Sequence, residues 1–308
     1  MAVETQDVIT GQKKKGSIIK NWSEKNESRI KEIKHSIRLF TKSPLAMLGL
    51  VIIVMFLLVA IFAPYIAPYG AEERNWKELK QPPSEKHIFG TDDTGGDIFS
   101  RIIYGSRTSL YIGFSVVSVA IILGTLVGAI SGYYGGKIDE LMMRVTDIFL
   151  AFPSLVLAMV ICASLGRSIE NVMLAMTIVW WPAYARLVRG QALSIRERKY
   201  IEAARAIGAS DFRIITKHLA PNSFSPIIVQ ATMDLGNVIL VAAGLSFIGF
   251  GAKPGQAEWG RMISEGAAYM LNQPWMATFP GLAILIVCLG FNLFGDGLRD
   301  ILDPRQRR

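Results

Sequence analysis

Tyr200-Ile-Glu202-Ala203-Ala204-Arg-Ala-Ile-Gly208-Ala-Ser210-Asp211-Phe212-Arg-Ile-Ile215-Thr-Lys-His218-Leu-Ala-Pro221-Asn222 is a charged, helix-forming segment set between two apolar runs. Lipid contact does not account for such a segment, because ionised side chains in hydrocarbon are costly. Gln191 through Ile207 is rich in good helix formers, which predicts one helix stopped at Gly208. Ser210 or Asp211 then caps a second short helix, and Pro221 closes it. Phe212, Ile215 and Leu219 fall on one face of that second helix. The two helices meet at a glycine corner and present an apolar ridge with flanking charges. This is the form of a helix that docks in another protein's groove, and a loop packed on its own chain is the competing reading.

The runs around this segment define the rest. Of the 308 residues, 51% are hydrophobic and 19% charged, and the mean hydropathy is +0.35, values that lean toward an integral membrane protein. A spanning helix needs about 20 apolar residues. Runs near that length occupy 45–66, 109–132, 140–165, 171–187, 226–250 and 275–293. An all-α polytopic protein of six transmembrane helices is expected. Pro153 is expected to kink the third span. Gly124, Gly128 and Gly132 recur every four residues on the second span, a face that admits another helix at short range. Cys162 and Cys288 lie inside apolar runs and read as small buried hydrophobes.

Charge orients the chain. Ten Lys and Arg residues precede the first run, and eight more lie between Arg186 and Lys217. The links after the third and fifth runs carry few, Arg167 in one and Lys253 and Arg261 in the other, and the mixed charge of 70–107 counts less because long loops weigh little in setting orientation. The positive-inside rule therefore places both termini and the 189–222 segment in the cytoplasm, with 70–107 outside. The net charge of +8 needs no nucleic acid to explain it. The expected organisation is a tail over 1–44, a membrane domain over 45–300 and a short tail over 301–308. About 45 polar residues before the first run exceed the leading region of a cleavable signal, so that run is expected as an uncleaved anchor. Ile30, Ile33, Ile37 and Phe40 recur near helical spacing among basic residues. They predict an amphipathic helix on the inner membrane surface, against the alternative of a solvated tail.

No G-x-x-x-x-G-K-[ST] phosphate loop and no H-E-x-x-H zinc motif occurs, and His35, His87 and His218 lie on separate segments. The chain is thus expected to be no enzyme and to hold no catalytic metal. Any transport it performs is expected to be powered by a partner or by a gradient. Asp92, Asp93 and Asp97 lack the spacing of a calcium loop and read as an external turn or a contact for an external protein. Within the fifth run, Gln230, Asp234 and Asn237 sit at helical spacing. They line a translocation path or clamp helices together. Trp180 and Trp181 either contact substrate or fill a helix interface. Asp147 is expected to pair with Arg144.

Glu202-Ala203-Ala204-x-x-x-Gly208, with Pro221 thirteen residues past the glycine, resembles the EAA motif of ABC-importer permeases. Further stretches are similar to the second (C-type) permease of the dipeptide/oligopeptide/nickel family. They are His87-Ile-Phe-Gly90-Thr91-Asp92 with Ser100-Arg101 and Tyr104-Gly105, and Arg144-Val-Thr-Asp147 with Ala151-Phe152-Pro153. Phe279-Pro280-Gly281-Leu282, Phe291-Asn292-Leu293, Gly295-Asp296-Gly297-Leu298-Arg299-Asp300 and Asp303-Pro304 complete the set. The resemblance covers nearly all of the chain after residue 36. It implies the type I permease fold and a multi-pass protein of the inner or plasma membrane. The implied partners are a homologous second permease, two cytoplasmic ATPases that bind ATP and Mg, and an external solute-binding protein. No cofactor is implied for this chain itself. Glu202, Ala203, Ala204, Gly208 and the helix through His218 become the coupling element that an ATPase grips. Peptides are the implied cargo, with oligosaccharides or nickel chelates as the alternative and a gradient-driven carrier as the competing class. The sequence departs from the family at Gly96, where arginine is common, at Ala242, where glutamate is more frequent, and at Ala220, where leucine is preferred.

Overall fold

The computed structural model describes Arg38 and residues 40–302. The amphipathic helix expected before residue 42 falls almost wholly outside the described residues, as does the tail from 303. Twelve α-helices are described: α1 (Pro44–Ile61), α2 (Ala63–Ile66), α3 (Ile98–Tyr134), α4 (Gly136–Leu150), α5 (Ser154–Leu165), α6 (Ile169–Arg196), α7 (Lys199–Ala206), α8 (Asp211–Ile214), α9 (Ala220–Asn222), α10 (Phe224–Ile248), α11 (Trp259–Ala267) and α12 (Trp275–Leu302). A π-type turn, Ile215–Leu219, joins α8 to α9. Among the described residues there is no strand, only one isolated bridge between Thr91 and Asp97.

The pairing of α3 with α6 is the most extensive in the molecule, and glycine makes it possible. A methyl group added to Gly124 would stand 2.7 Å from the Trp181 carbonyl oxygen. At Gly128 it would stand 2.9 Å from the Arg189 nitrogen, and at Gly132 2.9 Å from the Arg189 carbonyl oxygen. The helices therefore touch backbone to backbone, as small-residue stripes allow. The expected face is the one used. On the other side of the bundle α12 gathers α1, α10 and α11 in the same manner. Gly49 of α1 meets Gly290, Gly236 of α10 meets Cys288, and Gly266 of α11 meets Ala277.

Helices α1, α3, α10 and α12 are each long and apolar enough to cross a membrane. The expected third span is two helices, not one kinked helix: α4 and α5 meet at 85°. Pro153 lies at the break and precedes the first residue of α5, where its missing N–H costs no hydrogen bond and its ring disfavours a helical residue before it. The expected fourth span is α6, whose Trp180-Trp181-Pro182 stretch and Arg186 dilute its hydropathy below that of the others. Packed against α3, α5 and α10, it presents little surface that must be apolar.

The external segment ends earlier than expected. Asp97 accepts from the Ser100 N–H at 2.8 Å and starts α3 there, so 98–107 are its first turns and no part of a loop. Residues 67–97 and the loop carrying α11 form a cap over this end. Arg101, fully buried, pairs with Asp92 and with Glu265 and donates to the Gln256 carbonyl at 3.2 Å. Arg74 donates to the Gly255 carbonyl at 2.6 Å. Its guanidinium fills the space into which a side chain at Gly96 would grow, at 2.8 Å from an added methyl group. A guanidinium thus stands beside Asp92 although position 96 lacks arginine. His87 bridges Asp97 at 2.8 Å and Glu78 at 3.3 Å. Phe89 stacks on Phe279 with centroids 4.1 Å apart, tying the cap to α12. Asp92 and Asp97 are therefore consumed by turns and ion pairs, while Asp93 keeps one buried oxygen unpartnered, and among the described residues no group of three or more acidic, histidine or cysteine side chains could hold a metal.

Burial pushes the Asp92 carboxyl up, but Arg101 and the N–H groups of Gly96 and Thr94 outweigh it and hold it below the usual carboxylate range. A depressed folded-state pKa gives stability that is present above the unfolded value and lost as pH falls through the folded one. The cap is accordingly expected to resist protease at neutral pH and to loosen only below about pH 4. R101M strands Asp92 and is expected to cost ~3 kcal/mol in thermal unfolding, with D92N added to R101M recovering part of it. Gly128→Leu is expected to leave no folded protein in the membrane fraction, whereas Gly190→Ala, whose added methyl group meets nothing, leaves the yield unchanged.

Candidate functional site

The segment singled out in the sequence folds as a bracket beneath the ends of α3 and α6. The helix expected to run from 191 to 207 is two helices, because α6 stops at Arg196 and Arg198 is extended before α7 begins. No glycine or proline marks that break. The Arg196 guanidinium instead reaches the carbonyls of Gly132 and Tyr133 at 3.3 and 3.5 Å, which draws the chain back under α3. The corner at Gly208 is as expected: its φ of +79° is a left-handed conformation that ends α7. Ser210 caps α8 by accepting from the Arg213 N–H at 3.4 Å. Asp211 does not cap; its Oδ1 accepts from the Tyr133 hydroxyl at 2.6 Å.

The apolar face of the second helix differs from expectation. Ile214 and Leu219 are each 1% exposed, while Phe212 is 77% exposed and Ile215 lies between. The π-type turn inserts one residue, so the buried positions are five apart where an α-helix spaces them three or four. Pro221 does not close the helix, since it sits in the first turn of α9, where no N–H is needed, and α10 follows at Phe224. The bracket thus has two sides. Ile201, Ile214 and Leu219 are buried in the same core as Tyr133 and Ile195, and Ala204 is buried beside them in sequence. Glu202, Ala203, Gly208 and Phe212 face outward, together with Ile207 at 85% exposure. His218 is half-buried beside the Tyr200 ring, centroids 6.0 Å apart.

The intramembrane polar residues divide. Gln230 donates to Asp234 at 3.1 Å, so these two come together as their spacing implies. Asp234 is 5% exposed, inside this chain's own bundle, and its second oxygen lacks a hydrogen-bond partner. The Tyr184 hydroxyl, also buried and unpartnered, and the Trp180 indole approach it from α6. Asn237 is exposed, on a side of α10 that no other helix among the described residues covers. Trp181 turns away and meets Phe149 edge-on at 5.5 Å. Asp147 pairs with Arg186 at 2.6 Å rather than Arg144, which takes Glu140 at 2.8 Å one turn away. Gln230 also borders a cleft of about 670 Å³ that reaches the bracket, lined by Gln191, Arg198, Asn222, Met233 and Arg299 among others. Tyr133 and Tyr184 carry no marker in the sequence. Only Ile207, an apolar residue directly before the glycine corner, offered a signal.

A bundle of helices with a half-anchored, half-exposed bracket on one end and a knitted cap on the other is the form of a transport permease. Residues 124–308 match the family model described as binding-protein-dependent transport system inner membrane component, and 33–83 match the N-terminal TM domain of oligopeptide transport permease C. A dipeptide transport system permease protein of Alkalihalophilus pseudofirmus is 50% identical over 86% of this chain and 88% of its own length. A glutathione transport system permease protein of Escherichia coli O157:H7 is 46% identical over 87% of this chain and 89% of its own. The fold is similar to that of the MetNI methionine ABC transporter in an inward-facing conformation, with a TM-score of 0.54 at 19% identity over 65% of this chain and 96% of that one. The chain belongs to the family of binding-protein-dependent transport system inner membrane components, in the dipeptide/oligopeptide/nickel branch of ABC-importer permeases, as a C-type subunit.

Since Ile207 and Phe212 touch little within the chain, aspartate at either is expected to change the thermal unfolding midpoint of the purified subunit negligibly. Aspartate at Ile214 or Leu219 buries an unpaired charge and is expected to prevent folding.

Proposed function

We propose that this permease carries peptides across the inner or plasma membrane and is driven by ATP hydrolysed on partner subunits. The observation that carries the coupling assignment is the exposure of Ile207 and Phe212, at 85% and 77%, on a bracket whose opposite side is built into the core. An apolar ridge held rigid from behind is suited to a groove on another protein. Glu202, Ala203, Ala204, Gly208, Ser210, Asp211, Phe212, Ile215, His218 and Pro221 form this joint, with Ile207 added to its contact surface. The chain binds no nucleotide; ATP and Mg belong to two cytoplasmic ATPases. A homologous second permease completes the membrane unit, and a solute-binding protein delivers cargo to the external cap.

In the proposed topology α1, α3, the bent pair α4–α5, α6, α10 and α12 are six spans, with residues 1–44 and 301–308 in the cytoplasm. The path follows the open side of α10, where Asn237 faces the second permease. Gln230 borders the cleft toward the cytoplasm, and Asp234, Trp180 and Trp181 stand behind as its polar and aromatic wall. Peptide cargo is supported by the dipeptide and glutathione systems to which the two relatives belong.

Glu202→Lys and Gly208→Pro, the latter incompatible with a φ of +79°, are each expected to lower binding-protein-stimulated ATP hydrolysis and uptake at least ten-fold in reconstituted vesicles. Full uptake by either variant, or uptake that survives ATP depletion, defeats the assignment. Uptake competed by maltooligosaccharides or nickel chelates but not by dipeptides defeats the cargo.

A further inference from the structure

The hydrogen bond from Tyr133 to Asp211 ties the exposed bracket to the end of α3. Its two residues are 78 positions apart, and its length is 2.6 Å. It joins the first residue of α8 to the last turn of α3. The same turn is held by Arg196 on the carbonyls of Gly132 and Tyr133, and the Arg205 guanidinium lies over the Tyr133 ring at 5.1 Å. Tyr133 itself is buried. The bracket is thus fastened to α3 at one point by a charge-assisted hydrogen bond, a cation over an aromatic face and two backbone contacts.

From that point α3 runs 37 residues without a proline, a rod of about 55 Å. Its far end is fastened equally firmly. Arg101 holds Asp92 and Glu265 of the cap, and the Trp259 indole donates to the Ile102 carbonyl at 3.0 Å. Between the ends, the glycine stripe locks α3 to α6 with no side-chain layer to absorb displacement. A shift of the bracket is therefore delivered to the cap, and a load on the cap to the bracket.

Resting on the coupling assignment above, we propose that α3 is the strut that connects the ATPase joint with the external cap, and that Tyr133 is the positioning residue through which the joint grips it. Through this strut, the arrival of a loaded binding protein outside governs how the ATPases respond inside. The interaction is polar and specific, so removing one oxygen isolates it while the ring continues to fill its place in the core.

The test uses the complete complex in lipid nanodiscs with dipeptide-loaded binding protein. Tyr133→Phe is expected to reduce binding-protein stimulation of ATP hydrolysis, and uptake in vesicles, about ten-fold, the factor set by losing one hydrogen bond to a charged group. Basal hydrolysis and the amount of ATPase bound stay at the parent level. On an Asp211→Ala background, Tyr133→Phe is expected to lower stimulation no further, because the bond it removes is already gone. Undiminished stimulation in Tyr133→Phe overturns the strut, as does a parallel fall in basal rate and bound ATPase, which marks a merely structural contact. Glu202→Lys run alongside separates the two ideas. If it abolishes stimulation and Tyr133→Phe does not, the strut fails and the joint stands; if neither has an effect, the joint itself is misassigned.

Discussion

The close approach of α3 and α6 is the constraint on which the other features rest. In a bilayer, apolar side chains gain nothing by leaving lipid for one another, so helices associate through backbone proximity and packing. Gly124, Gly128 and Gly132 supply that proximity, and a single methyl group at any of them would collide with the α6 backbone. With α6 seated there, its last turn arrives beside the end of α3, Arg196 reaches the α3 carbonyls, and the bracket begins at a fixed place. The same contact sets the direction of Tyr184 and Trp180 toward Asp234 on α10.

The two ends of the molecule are built by opposite means. The cap is a network of buried charges, in which Arg101, Asp92 and Glu265 neutralise one another and the backbone N–H groups of Thr94 and Gly96 donate to Asp92. Such networks are rigid because leaving any member unpaired is costly. The bracket at the other end is short helical pieces separated by a left-handed glycine and a π-type turn. It is fixed on its inner side and bare on its outer side. A surface of that kind gains stability only when something covers it, which is the physical content of the coupling assignment.

Much of this was legible in the sequence. The apolar runs gave the helical, membrane-spanning class. The glycine spacing on α3, the corner at Gly208 and the cap at Ser210 were all local signals, and each acts through backbone conformation within a few residues. The failures share a cause as well. At α-helical period Phe212, Ile215 and Leu219 share one face, and a one-residue π insertion rotates the helix so that Ile214 and Leu219 turn inward. Arg144 was the nearer partner for Asp147 along the chain, yet Arg186 of another helix was nearer in space. Pro153 was read as a kink, and tertiary packing resolved it into an 85° break.

By itself the sequence determined the helical class, the apolar runs of α1, α3, α10 and α12, and the left-handed corner at Gly208. Those properties depend on side chains and their immediate neighbours. Tertiary structure alone decided that Asp234 lies within this chain's own bundle while Asn237 faces outward, that Arg74 supplies the guanidinium missing at position 96, and that Tyr133 grips Asp211. Each of these joins residues on different helices or loops. Their meeting depends on where whole helices settle against one another, and local periodicity carries no record of that.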